Sequence, residues 1–142
     1  MKKNKLLTIM LIILVTITLI GVVIFVLLTQ FNKQASTDEP SIDEILEASV
    51  DVPELTTNLA DNNFVKLTLK IQTDSKEAGE ELAKRDFQTK NIVIEELSEM
   101  TKADLEGKQG KILFESTIKS KLNELMQEGE VQQVYITSYI IQ

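Results

Sequence analysis

In FVKLTLKIQ, Phe64 to Gln72, apolar and polar residues alternate without a break. Val65, Leu67, Leu69 and Ile71 point one way, and Lys66, Thr68, Lys70 and Gln72 the other, because successive side chains of a strand project to opposite faces. One face packs and the other meets water. A register slip of one residue would bury two lysines, so the pairing of this strand is tightly specified.

Just upstream, Glu54 to Leu59 reads as a second strand, joined to the first through Asp61-Asn62-Asn63, residues that tolerate left-handed turn geometry. Downstream, Asp74 or Ser75 can cap a helix carrying Ala78, Leu82, Ala83 and Phe87, with Glu80/Lys84 and Glu81/Arg85 as i, i+4 pairs on a solvated face. Ile92, Val93, Leu97 and Met100 repeat the helical pattern over Asn91 to Met100, either continuous with that helix or broken near Thr89. Thr101 offers a cap before Asp104. Gly107 and Gly110 then read as breaks before the long amphipathic helix KILFESTIKSKLNELMQE, with Phe114, Ile118, Leu122 and Leu125 as its stripe, Leu113 and Met126 widening it, and Gly129 ending it.

The chain closes on VQQVYITSYIIQ, a strand rich in β-branched and aromatic residues. Strict alternation puts Val134, Ile136 and Ile140 on one face and Tyr135, Tyr139 and Ile141 on the other. A strand with two apolar faces is either central in its sheet or half covered by another subunit, which makes Tyr135 and Tyr139 candidate contact residues. The expected fold is α+β, an antiparallel sheet of about three strands packed against helices, over residues 55–142.

At the other end lies LLTIMLIILVTITLIGVVIFVLL, Leu6 to Leu28, uncharged and set between Lys5 and Lys33. As a helix it covers roughly 34 Å, enough for a hydrocarbon core of about 30 Å. Lys2, Lys3 and Lys5 resemble the basic start of a signal peptide, but the apolar run is too long for one and ends at no small-x-small site. The chain therefore reads as a cytoplasmic stub (residues 1–5), a transmembrane anchor (residues 6–28), and a remainder outside the cytoplasmic membrane, since three lysines precede the span and one closely follows it. Thr8, Thr16 and Thr18 can bond to carbonyls one turn back. No G-x-x-x-G motif marks the span as an assembly surface.

Residues 29–54 read as an acidic stalk, with seven acidic residues between Asp38 and Glu54 and prolines at 40 and 53. As a coil its part from Asn32 would average about 25–30 Å end to end. Ser41-Ile42-Asp43-Glu44 fits a capping box, so a short helix starts there. Its stripe of Ile42, Ile45 and Leu46 packs either on a partner or on the chain's own domain.

All 22 acidic residues follow Lys33, against 11 basic ones, leaving this part at −11. That opposes binding to nucleic acid or to an anionic lipid surface, although solubility alone also accounts for it. The chain has neither cysteine nor histidine, which removes disulfides, the thiol nucleophile, the commonest general base and the commonest transition-metal ligand. Glu95, Glu96 and Glu99 are adjacent acids on an amphipathic helix with no sign of a sugar-binding cleft, and G-K-Q-G-K lacks the spacing of a phosphate loop. No enzyme, cofactor or metal site is expected.

The order of parts and several residues together resemble the flagellar basal-body-associated FliL family. They include the basic N-terminus and single span, the Asn58-Leu59-Ala60-Asp61 turn, the strand from Phe64 to Ile71, and Glu96-Leu97-Ser98 followed by Thr101, Asp104-Leu105 and Gly110-Lys111. Asn123 and the ending Val134-Tyr135-Ile136-Thr137 through Ile140-Ile141-Gln142 complete the resemblance. Ile136 and Ser138 stand where the family usually has Phe and an acidic residue. The resemblance implies a stomatin/SPFH-like domain forming an oligomeric ring around the flagellar stator units and supporting their activation and torque. The alternative is a membrane-tethered module that senses or binds an extracytoplasmic ligand.

Overall fold

The computed structural model describes residues 2–35 and 39–142. The chain divides into two compact units, Met1–Glu39 and Pro40–Gln142. The first unit is one helix, α1 (Lys2–Ala35). Asn4–Thr29 of it is long and apolar enough to cross a membrane. Its threonines are satisfied internally, as expected: Thr8 donates to the Asn4 carbonyl at 2.7 Å, Thr16 to those of Ile12 and Ile13, and Thr18 to that of Leu14 at 2.8 Å.

The second unit is an α+β layer structure. After α2 (Ile42–Glu47) come β1 (Ser49–Asn58), β2 (Phe64–Thr73), α3 (Lys76–Lys84), α4 (Asp86–Glu99), α5 (Lys102–Leu105), α6 (Gly107–Leu125) and β3 (Val131–Ile141). The strands form one antiparallel sheet in the order β1-β2-β3. Helices cover one face only: α4 and α3 lie over β1, and α6 lies over β3. Val65, Leu67, Leu69 and Ile71 are all buried against Leu82, Val93, Leu97, Phe114, Ile118 and Leu122. Burying each such side chain contributes roughly 1.5–3 kcal/mol, so the alternation in β2 is the main determinant of the architecture.

Several local expectations hold. Ser41 caps α2 and Thr101 caps α5, each in a full capping box with Glu44 and Asp104, and Ser75 caps α3. Asn62 takes the positive φ of the hairpin, at 65°. Asp61 fastens that hairpin to α5 by accepting the Lys102 N–H at 2.9 Å.

Other expectations are corrected. β1 begins at Ser49 rather than Glu54, so the last residues assigned to the stalk belong to the sheet; of that stalk, Ser36-Thr37-Asp38 lies outside the described residues. Pro53 does not end the strand because it sits at a bulge, where the register shifts between Val52 and Leu55 on an edge that needs no N–H. The helix over the sheet breaks at Arg85 (φ −90°, ψ 18°), which turns Phe87 outward to 71% exposure and buries Thr89 in its place.

Gly107, at φ +78°, is the break before α6, whereas Gly110 lies inside the helix. Leu113 is 65% exposed because it is offset by one residue, about 100°, from the buried line of Phe114, Ile118 and Leu122. Gly129 does not terminate α6, which stops at Leu125. It forms the turn into β3, with φ +62° and no space for a Cβ beside Asp74.

Candidate functional site

The carboxylates with displaced titration are structural. Hydrogen bonds from Ser41, from Thr101, and from Asn63 with Lys102 hold Glu44, Asp104 and Asp61, respectively, below the ordinary carboxylate range. Glu81 has a side chain only 14% exposed, and burial opposes its charge. The N–H groups of Glu128 and Gln127 and the Arg85 guanidinium outweigh that effect and leave its pKa lowered. Glu96 pairs with Lys121 and raises its pKa, and Glu95 accepts from Asn91 at 2.8 Å. Among the described residues no cluster of acidic side chains could hold a metal ion.

A carboxylate held below its ordinary value stabilises the fold at neutral pH, and that contribution is lost as pH falls through and below the ordinary carboxylate range. Glu81→Gln is therefore expected to lower the urea midpoint at pH 7, and the gap from wild type should close on acidification. Urea titrations of both proteins at pH 7 and in acid check this; an equal gap at both pH values would show that charge at Glu81 is not what anchors the α6–β3 turn.

With the carboxylates so occupied, the remaining features are surfaces. On α2, Ile45 is half-buried while Ile42 and Leu46 are 67% and 51% exposed. The stripe is thus divided. Ala48, at its end, is buried and its carbonyl accepts both the Thr73 N–H (2.9 Å) and the Thr73 hydroxyl (2.6 Å), pinning α2 to the start of the sheet. The helix is held in place with two of its three apolar residues free.

The second surface is β3, an edge strand and not a central one. Thr68 pairs with Ser138 but Leu69 with Ile136, so Thr137 is an extra residue. This bulge reverses the faces beyond it. Tyr135 lies on the open sheet face, its hydroxyl 3.1 Å from Gln72 Oε1, while Tyr139 is paired with core-facing Leu67 on the helix side. The two tyrosines are therefore not on one face, and Ile140 joins Tyr135 while Ile141 joins the core. Lys111 stands 4.3 Å above the Tyr139 ring and donates to the Leu105 and Gly107 carbonyls.

Helix α6 closes the first half of the β3 edge with side chains. Asn123 accepts the Val131 N–H at 2.6 Å and donates to its carbonyl at 3.1 Å, and Glu115 accepts the Ile136 N–H at 3.0 Å. Glu115 had no distinguishing signal in sequence; Asn123 stood out only as one of the residues that carry the family resemblance. Asn123→Ala leaves both Val131 groups unpaired at a buried position and is expected to cost roughly 2–3 kcal/mol in chemical denaturation. A loss under about 0.5 kcal/mol would mean that water replaces the amide.

The third surface is the helix-free sheet face. Lys66 and Lys70 pair there with Glu54 (3.4 Å) and Asp51 (2.8 Å), Thr68 and Thr137 hydroxyls meet at 2.8 Å, and Phe64 and Ile140 flank a shallow recess with Thr56 and Gln142. It is a laddered, largely self-satisfied surface.

A family model described as "Flagellar basal body-associated protein FliL" matches residues 49–142, starting where β1 starts. The "Flagellar protein FliL" of Bacillus subtilis (strain 168) is 46% identical over 111 residues, covering 78% of this chain and 79% of that protein.

Proposed function

This chain belongs to the flagellar basal body-associated FliL family, and from that membership we propose that it forms an oligomeric ring around the stator units of the flagellar motor and supports their activation. The family is one of flagellar accessory proteins and not of enzymes, and its association with the basal body together with one N-terminal helix long and apolar enough to cross a membrane supports a membrane-anchored protein. In the proposed arrangement the N-terminus is cytoplasmic and the stomatin/SPFH-like Pro40–Gln142 unit stands outside the cytoplasmic membrane, holding the stator linker in its conducting form.

The match over residues 49–142 carries this reading. It is supported by a domain whose displaced carboxylates all serve the backbone and whose free features are surfaces. The span contributes by concentrating the domains in one plane, which raises their effective concentration for assembly.

Deleting the gene in its own bacterium is expected to reduce swarming and torque at high load while flagella remain assembled, and an unrelated span in place of residues 6–28 should restore both. Normal torque at high load in the deletion strain, or missing filaments, would reject stator support as the role.

A further inference from the structure

The two edges of the sheet are protected differently. On β1, Pro53 sits at the bulge between Val52 and Leu55, flanked by Asp51 and Glu54. A proline, a bulge and charged side chains each keep another strand from pairing there. On β3 the protection comes from side chains. Asn123 holds both backbone groups of Val131, the Gln133 side-chain amide donates to the Val134 carbonyl at 3.2 Å, and Glu115 accepts the Ile136 N–H. Beyond Ile136, no described side chain bonds to the backbone of β3.

Exposure changes at the same point. Val131 and Val134 are buried, whereas Thr137 to Ile140 are all exposed. Phe64 and Gln142 exchange both backbone bonds, so by antiparallel alternation the backbone groups of Ile140 face β2, and the N–H and C=O of Tyr139 and Ile141 point away from it. The bulge before them is pinned by the Thr137 hydroxyl, which donates to the Thr68 carbonyl at 3.2 Å, and pairing with β2 is regular from Ser138 to Ile141. Neither a charged residue nor a proline lies between Val131 and Gln142. The end of β3 is therefore an uncharged strand, paired on one side, whose outward groups repeat with the two-residue period of a β-ladder.

We propose that Thr137–Gln142 is a docking edge for an extended segment of another protein, which joins the sheet as a fourth strand. The occupant follows from the groups it must satisfy. N–H donors and C=O acceptors alternating along an edge are matched by an extended backbone and not by a helix, whose own backbone groups are used internally. A second copy does not supply that strand. Its β1 edge is interrupted by Pro53, and its β3 carries α6. Lys111 over Tyr139 places the start of α6 above this end of β3. Antiparallel β3–β3 pairing about Ile140 would put two such helix starts on one face, above strands about 4.8 Å apart, where packed helices need about 8–10 Å. A bare strand brings no helix layer. Its alternate side chains would fall beside the Tyr139 ring on the helix side and beside Ile140, at the recess shared with Phe64, on the open face. Uncharged β-branched or aromatic residues suit both rows. The inference does not depend on the ring reading above.

Full-length chain in detergent micelles, titrated into a fluorescein-labelled synthetic peptide of alternating threonine and valine, tests this. Fluorescence anisotropy should show saturable binding, and amide hydrogen exchange should slow at Tyr139 and Ile141. The same peptide N-methylated at two adjacent central residues keeps its side chains but cannot pair along either of its edges; it should bind roughly tenfold or more weakly. Tyr139→Pro removes an outward N–H at a position where the ladder to β2 needs none. It should weaken peptide binding by a similar factor, whereas Tyr139→Ala, which keeps that N–H, should retain most of it.

Equal binding of the plain and N-methylated peptides overturns edge pairing, because apolar adsorption then accounts for the signal. Tyr139→Ala binding as weakly as Tyr139→Pro overturns it too, since the ring and not the backbone is then what is recognised. No saturable binding at the highest soluble chain concentration has the same consequence. Protection of Tyr139 and Ile141 that grows with chain concentration in the absence of peptide places a second copy on this edge and rejects a foreign strand. Should Tyr139→Pro fail to fold, the N-methylated peptide and the exchange measurement on the unaltered chain decide the matter.

Discussion

Truncation of Tyr135–Gln142 is expected to abolish the cooperative folding of the Pro40–Gln142 unit. These eight residues run along β2 from Val65 to Lys70, and Gln142 exchanges both backbone bonds with Phe64 at 2.8 Å. Their loss frees one whole side of the central strand over that stretch and removes Ile136 and Ile141, which pack against the core. At roughly 0.5–1.5 kcal/mol per ladder bond and about 1–2 kcal/mol for each partly buried isoleucine, the lost contribution comes to about 5–10 kcal/mol. A domain of this size is stable by only about 5–15 kcal/mol. Helix α1 continues to give a helical signal whatever the domain does, so amide hydrogen exchange of β2 is the proper readout. Val65 to Ile71 should exchange without protection in the truncated chain; retained protection there would mean that β1 and the helices suffice to hold β2.

The same strand shows which parts of this fold can be read without a structure. β2 was legible because its information is local: every second residue is apolar, and both faces of the strand are specified by its own side chains. The caps at Ser41 and Thr101 were legible for the same reason, since donor, acceptor and spacing all lie within four residues. Bulges are different. The extra residue at Thr137 exists only relative to Thr68 on another strand, so simple alternation placed Tyr135 and Tyr139 together when they face opposite sides. Pro53 misled in the same manner, marking the end of a stalk where it is in fact the bulge of an edge strand.

Of the candidate surfaces, sequence located the α2 stripe and the β3 tyrosines as separate features. Their positions toward opposite sides of the sheet depend on the strand order.

Gly110→Ala is expected to destabilise the domain by roughly 2–4 kcal/mol, although alanine is the better helix former by about 1 kcal/mol. A Cβ at residue 110 would overlap the carbonyl oxygen of Asp104 and lie 2.9 Å from the carbonyl carbon. The obstacle is backbone, and that backbone has little freedom to retreat. Asp104 is held by its reciprocal cap with Thr101, Leu105 beside it is 3% exposed in the core, and the Lys111 ammonium bonds to the Leu105 carbonyl at 3.4 Å. Gly107 provides the control: its φ of +78° disfavours alanine by about 1 kcal/mol, but a Cβ there meets nothing within 4 Å. Urea denaturation should therefore rank Gly110→Ala well below Gly107→Ala, with both below wild type. If Gly110→Ala equals or exceeds wild type, the α5–α6 junction moves apart at little cost. The Lys111–Tyr139 stack, which depends on where that junction puts the start of α6, would then be an adjustable part of the β3 surface and not a fixed one.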